Sequence, residues 1–229
     1  MIYVTGDTHG QIDFYKLWKF AKDHPELTKK DYVIIAGDFG AIWEEDLVKF
    51  DLKPYMALPF TVLFVDGNHE NFDVLIHKYP VEEWMGGKVH KVANGVIHLM
   101  RGQVFEIEGK RIFTMGGGTS IDKAYRTGGF SWWCQEMITY DDQIEGDKNL
   151  ARYGNEVDYV ITHSCDVDAL YALDLSERMY KKYVFLDNIF LSTFARKIKY
   201  KRWFFGHYHV EQELPNNKIA LYNSIIPLE

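Results

Sequence analysis

The chain has 229 residues, which is long for one average domain and short for two. Its hydrophobic content of 47% and charged content of 26% are typical of a soluble globular protein with a substantial core. The net charge of −7 argues against a large basic surface for nucleic acid. No apolar run is long enough to cross a membrane, and the N-terminus leads almost directly into a strand pattern. We therefore expect a cytoplasmic protein with no membrane partner.

The first 78 residues alternate strand and helix patterns. The predicted elements are strands over 2–5, 32–36 and 60–65 and helices near 11–23, 43–57 and 71–78. Successive strand–helix–strand units imply parallel strands with right-handed crossovers.

The pattern changes after the third helix. Residues 88–115 are predicted to form a meander of short strands, with Asn94-Gly95 and Gly109-Lys110 as hairpin turns. A glycine-rich, irregular loop follows, up to about residue 138. The chain's two cysteines, Cys134 and Cys165, are expected to be buried small hydrophobic residues and not reactive thiols.

The last third of the chain returns to helices and strands. Thr139 followed by Asp142 predicts an acidic variant of the capping box at a helix start. The elements predicted after that helix are a strand over 158–162, helices over about 166–199 with a long segment near 181–199, and strands over 202–206, 209–213 and 218–223. Without an internal repeat or linker, residues 1–229 are predicted to form a single domain.

Five short polar motifs each follow a predicted strand. In chain order they are Gly6-Asp7-Thr8-His9-Gly10, Gly37-Asp38-Phe39-Gly40, Gly67-Asn68-His69-Glu70, Thr162-His163 and Gly206-His207-Tyr208-His209. Aspartate oxygen and histidine nitrogen suit divalent ions such as Mn, Fe, Zn or Ni. In open α/β sheets ligands gather at the carboxyl ends of strands, so these motifs predict a metal site although they are far apart in the chain.

Each motif taken alone has a simpler interpretation. Asp and Asn next to Gly often only make turns, and a single histidine at a strand end, such as His163, is often structural. The conjunction of all five, including His9, His207 and His209, favours the metal site over these alternatives.

The motifs and their order resemble the calcineurin-like metallophosphoesterase family. Its pattern is Gly-Asp-x-His, Gly-Asp, Gly-Asn-His-Asp/Glu, a histidine after a strand, and Gly-His-x-His, and the resemblance covers almost the whole chain. It is greatest for the small bacterial and phage-type phosphoesterases. The resemblance implies an α+β fold, a four-layer α/β/β/α sandwich in which helices flank two stacked mixed β-sheets, known as the metallo-dependent phosphatase fold.

The resemblance also implies a site for two divalent ions, with Mn expected and Fe, Zn or Ni as alternatives. The family's ligand positions fall on Asp7, His9, Asp38 and His209 for one ion and on Asp38, Asn68, His163 and His207 for the other. Asp38 would bridge the ions together with a hydroxide that attacks phosphorus in line. His69 would act as a general acid or charge stabiliser. The implied reaction is hydrolysis of phosphate mono- or diesters.

One departure from the family pattern narrows the range of expected substrates. Family protein phosphatases carry a second Asp and an Arg shortly after the second motif, whereas this chain has Phe39-Gly40-Ala41. This disfavours a protein phosphatase of that type and leaves open what orients His69. A nuclease or nucleotide phosphodiesterase is the alternative, and a non-catalytic metal-binding interaction module is a further one.

The irregular loop over 116–138 holds the candidate substrate-binding residues. Arg126 could grip a phosphate through two parallel hydrogen bonds, and Trp132 and Trp133 could stack on a base or ring. Alternatively, the tryptophans cover the edge of a sheet and Arg126 makes a surface ion pair. Long irregular loops in compact domains are often functional, so the loop is expected to select the substrate.

Overall fold

The structure is a computed structural model and describes residues 1–175 and 184–229. The strands are β1 (Ile2–Thr5), β2 (Tyr32–Ala36), β3 (Thr61–Val65), β4 (Val81–Trp84), β5 (Gly87–Ala93), β6 (Val96–Leu99), β7 (Gln103–Ile107), β8 (Lys110–Met115), β9 (Tyr159–Thr162), β10 (Arg202–Phe205), β11 (Gln212–Leu214), β12 (Lys218–Ala220) and β13 (Ile225–Pro227). The α-helices are α1 (Tyr15–Asp23), α2 (Val48–Asp51), α3 (Lys53–Met56), α4 (Phe72–His77), α5 (Tyr140–Ala151), α6 (Val167–Ala172) and α7 (Leu186–Ala195). None of these helices is long and apolar enough to span a bilayer.

The strands form two mixed sheets. One has the order β13-β1-β2-β3-β6-β5-β4 and the other the order β11-β12-β10-β9-β8-β7. The central strands of each sheet are parallel, while the pairs toward the edges are antiparallel. Parallel neighbours end at the same edge of a sheet, which is where the loops after β1, β2 and β3, and those after β9 and β10, are found.

Three buried clusters separate four layers. The central cluster combines residues of both sheets, among them Val4 and Ile112, so the sheets pack face to face. A second cluster packs α1 and α4 against the first sheet through residues such as Leu17 and Leu75. The third packs α5 and α7 against the second sheet. The predicted four-layer α/β/β/α arrangement is confirmed.

Strand β2 shows why the sequence folds in this way. Its residues Val33 and Ile35 belong to the cluster under the helices, whereas Ile34 and Ala36 belong to the cluster between the sheets. Alternate side chains of a strand point to opposite faces, and a central parallel strand is buried on both. A continuous run of branched apolar residues is therefore the expected sequence for this position.

Two predicted helices differ from those observed. Helix α1 begins at Tyr15 and not near residue 11, because the chain turns after the first motif, with the Asp13 amide donating to the Thr8 carbonyl oxygen. The single helix predicted near 43–57 is two short helices, α2 and α3. Pro54 lies in the first turn of α3, and a proline cannot donate the amide hydrogen bond that a continuous helix would need there.

Some strands and the last helices also differ from prediction. Strands β4 and β13 were not predicted; β13 contains Pro227, which a strand tolerates at the edge of a sheet. The strands predicted over 209–213 and 218–223 are the shorter β11 and β12. Within the helical stretch predicted over 166–199, α6 and α7 are present, and residues 176–183 lie outside the described residues.

Two local predictions have opposite outcomes. Thr139 and Asp142 form the predicted capping box, in which each side chain accepts from the other's backbone amide. Cys165 is buried as predicted, but Cys134 is exposed, so the prediction that both cysteines are buried was wrong for Cys134.

Candidate metal centre

The five motifs meet at the carboxyl edges of the two sheets. His207 lies just after β10, and its backbone amide donates to Asp7 Oδ1, just after β1, at 3.0 Å. His163 lies just after β9, and its Nε2 is 3.3 Å from Oδ1 of Asp38 in the loop after β2. These contacts join the two sheets at a single site.

Asp38 lies at the centre of this site. Its Oδ2 is 3.4 Å from His9 Nε2, and its Oδ1 is 3.3 Å from His163 Nε2. The residue is only 2% exposed, and Oδ1 also accepts the backbone amide of His69 at 2.7 Å. A carboxylate whose two oxygens face different imidazoles is placed to be shared by two cations.

The group on one side of Asp38 includes the most exposed predicted ligand, His209. It consists of Asp7, His9 and His209, whose candidate ligand atoms all lie within 4.8 Å of one another. His209 Nε2 is 3.1 Å from Asp7 Oδ2, and the His209 side chain is 45% exposed. We call these three residues the open half-site.

The group on the other side is deeper. Asp38, His163 and His207 form a second set of candidate ligand atoms within 4.8 Å of one another. His163 Nε2 is 3.1 Å from both His207 Nδ1 and Asn68 Oδ1. We call Asn68, His163 and His207 the deep half-site. All seven predicted ligands thus lie together, around Asp38.

The backbone at the site is strained. Four of the seven predicted ligands have a left-handed backbone although none is glycine: φ is 43° at His9, 46° at Asp38, 66° at His207 and 52° at His209. Such conformations cost on the order of 1–3 kcal/mol each and persist where the surrounding structure holds them, often at functional sites. The strain turns these side chains inward.

Two motif glycines make room for the ligands. A Cβ atom on Gly37 would lie 2.0 Å from His163 Nδ1, and one on Gly206 would lie 2.1 Å from Asp7 Oδ1. Gly37 also has φ of +95°, which other residues rarely adopt. Gly37, beside Asp38, and Gly206, beside His207, therefore leave space for predicted ligands that come from other strands.

Glu70 holds the loop that departs from the phosphatase pattern. Its carboxylate is fully buried and accepts the backbone amides of Phe39 at 2.7 Å and Gly40 at 3.2 Å. Phe39 packs into the core, with its ring stacked on Phe64 at 4.1 Å between centroids. These contacts hold the loop that carries Asp38 in place.

The donor set and its electrostatics fit divalent cations. Carboxylate, imidazole and amide groups suit Mn, Fe, Zn or Ni. Burial alone would lower the pKa of His9, but the Asp38, Asp7 and Asp13 carboxylates raise it to about 9, so positive charge is favoured here. Burial lowers the pKa of His207 to about 3, which keeps it neutral, the form that binds metals.

The sequence matches the family model described as calcineurin-like phosphoesterase over residues 1–211, a range that includes all five motifs. The chain belongs to the calcineurin-like phosphoesterase family. The family is one of metal-dependent phosphoesterases. No curated protein matches the sequence.

Several solved structures resemble this family member. A proposed 5'-nucleotidase from Staphylococcus aureus, in complex with alpha-ketoglutarate, matches with a TM-score of 0.52 and 14% identity over 96% of this chain and 48% of its own. A phosphopantetheinyl hydrolase from Mycobacterium tuberculosis has a TM-score of 0.44 and 16% identity, and the match covers 96% of this chain and 87% of that hydrolase. A protein serine/threonine phosphatase from Saccharomyces cerevisiae has a TM-score of 0.38 and 16% identity, and the match covers 96% of this chain and 66% of that phosphatase. The first match supports the fold, and the chain spans about half the length of that nucleotidase.

His69 lies beside the predicted metal ligands and contacts Arg126. Its ring centroid is 5.2 Å from that of His9, and its Nε2 is 3.2 Å from Arg126 Nη2. Arginine can only donate, so His69 Nε2 accepts and the ring proton is on Nδ1. Burial lowers the pKa of His69, and Arg126 lowers it further against the opposing effect of Asp38. His69 is therefore neutral here.

The loop over 116–138 brings Arg126 into the site. Arg126 Nε is 2.8 Å from Asp122 Oδ1, and this pair directs the guanidinium toward His69. The loop's two tryptophans, which are predicted either to stack on substrate or to cover the edge of a sheet, have different surroundings. Trp133 is 5% exposed and donates to Asp73 Oδ2 at 2.8 Å, so it packs internally. Trp132 is half-buried under the Lys123 ammonium group, which is 5.7 Å from its ring centroid.

The residues that hold the ligands in place were missed by the sequence analysis. Asp13 Oδ2 is 2.7 Å from His9 Nδ1, and the Tyr222 ring stacks on His209. On the other side, Asn68 Nδ2 donates to Ser120 Oγ at 3.2 Å. Only Asp13 has a sequence signal, its position four residues after His9; the others follow from tertiary contacts.

Proposed function

We propose that this protein hydrolyses phosphate mono- or diesters with two divalent cations, Mn being the expected metal. The observation that carries the proposal is the position of the Asp38 carboxylate between the open and deep half-sites. Cations bound there lower the pKa of a bound water and neutralise charge on the phosphoryl oxygens.

The protein's own residues bind the ester and manage its protons. Arg126 presents a fork of donors that matches phosphoryl oxygens, and Asp122 keeps it directed into the site. Phosphoryl oxygens that draw Arg126 away would release His69 Nε2, the atom that Arg126 now contacts at 3.2 Å. Without the guanidinium beside it, His69 Nε2 could take up a proton from water and pass that proton to the leaving oxygen.

The test of the proposal is hydrolysis of an aryl phosphate and an aryl phosphodiester by metal-stripped protein before and after Mn²⁺ is added. We expect activity only with metal and a loss of at least about 10³-fold in kcat/KM for Asp38→Asn, whose fold is checked by circular dichroism. Full activity in a chelated sample contradicts the proposal. A metal-loaded wild type that turns over no phosphoester in a broad panel supports a non-catalytic metal-binding module instead.

The role of Arg126 is tested separately. Arg126→Ala should lower kcat/KM by about 10²–10³-fold, since a charged donor to the phosphoryl group is lost. Arg126→Lys should recover little, because an ammonium group lacks the planar fork. The exposed Arg152 provides the control, and Arg152→Ala should retain wild-type kinetics. Wild-type kinetics in Arg126→Ala exclude the residue from substrate binding.

A nucleotide or nucleic-acid substrate is the second candidate. It is favoured by two aromatic side chains near Arg126 in the chain, Tyr125 and Phe130, which are 93% and 74% exposed. Exposed aromatic rings stack on bases with about 1–3 kcal/mol per base. Replacing both by Ala should raise KM for a nucleotide but not for an aryl phosphate. Salt-dependent binding to single-stranded DNA would extend the substrate class to nucleic acid.

A further inference from the structure

The carboxylate of Asp13 joins one metal ligand to a tyrosine near the C-terminus. Its Oδ2 is 2.7 Å from His9 Nδ1, and its Oδ1 is 3.2 Å from the hydroxyl oxygen of Tyr222. An ionised carboxylate only accepts, so the imidazole and the phenol both donate to it. The proton on Nδ1 leaves Nε2 as the metal-binding atom of His9, and this is the atom that faces Asp38 at 3.4 Å.

Tyr222 also contacts the most exposed ligand. Its ring stacks on that of His209, with 4.5 Å between centroids and 11° between planes. The His209 side chain is 45% exposed, and its contact on the other side is Asp7 Oδ2 at 3.1 Å. The tyrosine ring therefore restricts an imidazole that solvent would otherwise leave mobile.

Lys16 completes the connection to the third ligand. Its ammonium group donates to the backbone oxygens of Asp7, at 2.5 Å, and of Tyr222. Tyr222 is thereby tied to Asp7 through Lys16, to His9 through Asp13, and to His209 by stacking. The three residues of the open half-site therefore share one set of supports.

We propose that Asp13 and Tyr222 are positioning residues that set the metal affinity of the open half-site without touching the ion. The inference rests on the proposed two-metal function. The metal affinity of the open half-site can then change independently of the deep half-site. Loss of Asp13 or Tyr222 should release the ion of the open half-site, while the deep half-site, with Asp38, keeps its ion.

The experiment uses full-length protein that is stripped and reloaded with Mn²⁺, with binding followed by isothermal titration calorimetry and electron paramagnetic resonance. Asp13→Asn and Tyr222→Ala should weaken one of two Mn²⁺ ions by about 10–100-fold and leave the other unchanged. At limiting Mn²⁺ the signal of a coupled pair should give way to that of an isolated ion. Tyr222→Phe keeps the stacked ring and should therefore lose less Mn²⁺ affinity than Tyr222→Ala.

Two matched controls lie far from the site. Tyr200→Phe removes a hydroxyl that donates to Asn216 O at 3.1 Å, and Asp158→Asn alters a carboxylate at the amino end of β9. Both should bind two ions with wild-type affinity. Raising Mn²⁺ by the factor lost should restore kcat in Asp13→Asn, which would not occur if the variant were merely misfolded.

The inference is overturned if Asp13→Asn and Tyr222→Ala bind both ions with wild-type affinity. It is also overturned if these variants lose Mn²⁺ affinity equally at both metal sites. A wild-type protein that binds fewer than two Mn²⁺ ions overturns the two-metal function itself. That result is seen before any variant is made, so the two failures are distinguishable.

Discussion

The two half-sites around Asp38 are built in different ways. In the deep half-site His163 is fully buried, and its Nδ1 lies 3.0 Å from the backbone oxygen of Ala36. In the open half-site the His209 side chain is 45% exposed and is held by the ring of Tyr222. Backbone and core packing fix one group, whereas polar side chains at the surface fix the other.

This difference determines which ligands can be loosened by a single substitution without disturbing the fold. A ligand held by the strands themselves cannot move without disturbing the sheets, because protein interiors are closely packed. A ligand held by Asp13 and Tyr222 can be loosened by changing one side chain. We therefore expect changes near the deep half-site to affect folding and metal together, and changes near the open half-site to affect metal alone.

The largest expected effect breaks the deep half-site. In Gly37→Ala a methyl group would occupy the position of the His163 ring, 2.0 Å from Nδ1, and the residue would keep a left-handed backbone. We expect a loss of at least about 2 kcal/mol in the free energy of unfolding, from backbone strain and displaced packing. Activity should fall with it, as measured by urea denaturation and by kinetics on the same samples.

Gly109→Ala is the matched control for this variant. Gly109 also has a left-handed backbone, with φ of +75°, but a Cβ there meets nothing within 4 Å. Only the backbone strain remains, about 1–2 kcal/mol, and activity should be that of the wild type. Equal effects of the two substitutions would show that Gly37 makes no room for His163.

A smaller effect is expected from the support of Asn68. Ser120 Oγ receives the Asn68 amide and donates to Glu136 Oε2 at 2.8 Å, while Glu136 Oε1 accepts the Ser120 backbone amide at 2.7 Å. Glu136→Gln should weaken the ion of the deep half-site by about 10-fold, because an amide reverses one of these bonds. Titration with Mn²⁺ checks the prediction, and loss of the ion from the open half-site instead would contradict the assignment.

The last prediction concerns acid stability and not metal binding, and it tests how the residues behind the Asn68 loop hold that loop in place. Asp66 Oδ1 is 3.1 Å from His98 Nε2, and His98 Nδ1 is 3.0 Å from His90 Nδ1. Burial, together with the nearby His98, lowers the pKa of His90 from 6.5 to about 4. The unfolded chain therefore takes up a proton that the folded chain does not, and stability should fall by up to about 3 kcal/mol between pH 6.5 and 4.

His90→Gln removes this titration and should flatten the unfolding free energy over that pH range. His77 is exposed, and His77→Gln serves as the control that should keep the wild-type pH dependence. An unchanged pH dependence in His90→Gln would assign the acid sensitivity to other groups.

The sequence predicted the central strands and the ligands for the same reason. Strand β2 is a run of apolar residues that ends in Gly37-Asp38, so periodicity and motif mark its start, its end and its chemistry. The prediction of a single helix near 43–57 was wrong because Pro54 interrupts that helix. Edge strand β13 carries no such run and forms only by pairing with β1.

The supports of the site could not be predicted in this way. Tyr222 is an ordinary aromatic residue that gains its role from stacking on His209, and Asp13 lies in a turn where a helix was predicted. Arg126 was singled out by its loop, but its contact with His69 joins segments far apart in the chain. Such contacts depend on the tertiary fold, and no local pattern encodes them.

The most direct test of the two half-sites is the anomalous diffraction of a Mn²⁺-loaded crystal. The account predicts two Mn²⁺ peaks roughly 3.5–4 Å apart, one on each side of the Asp38 carboxylate. One peak should contact Asp7, His9 and His209, and the other Asn68, His163 and His207. A single peak, or peaks that do not flank Asp38, would contradict it.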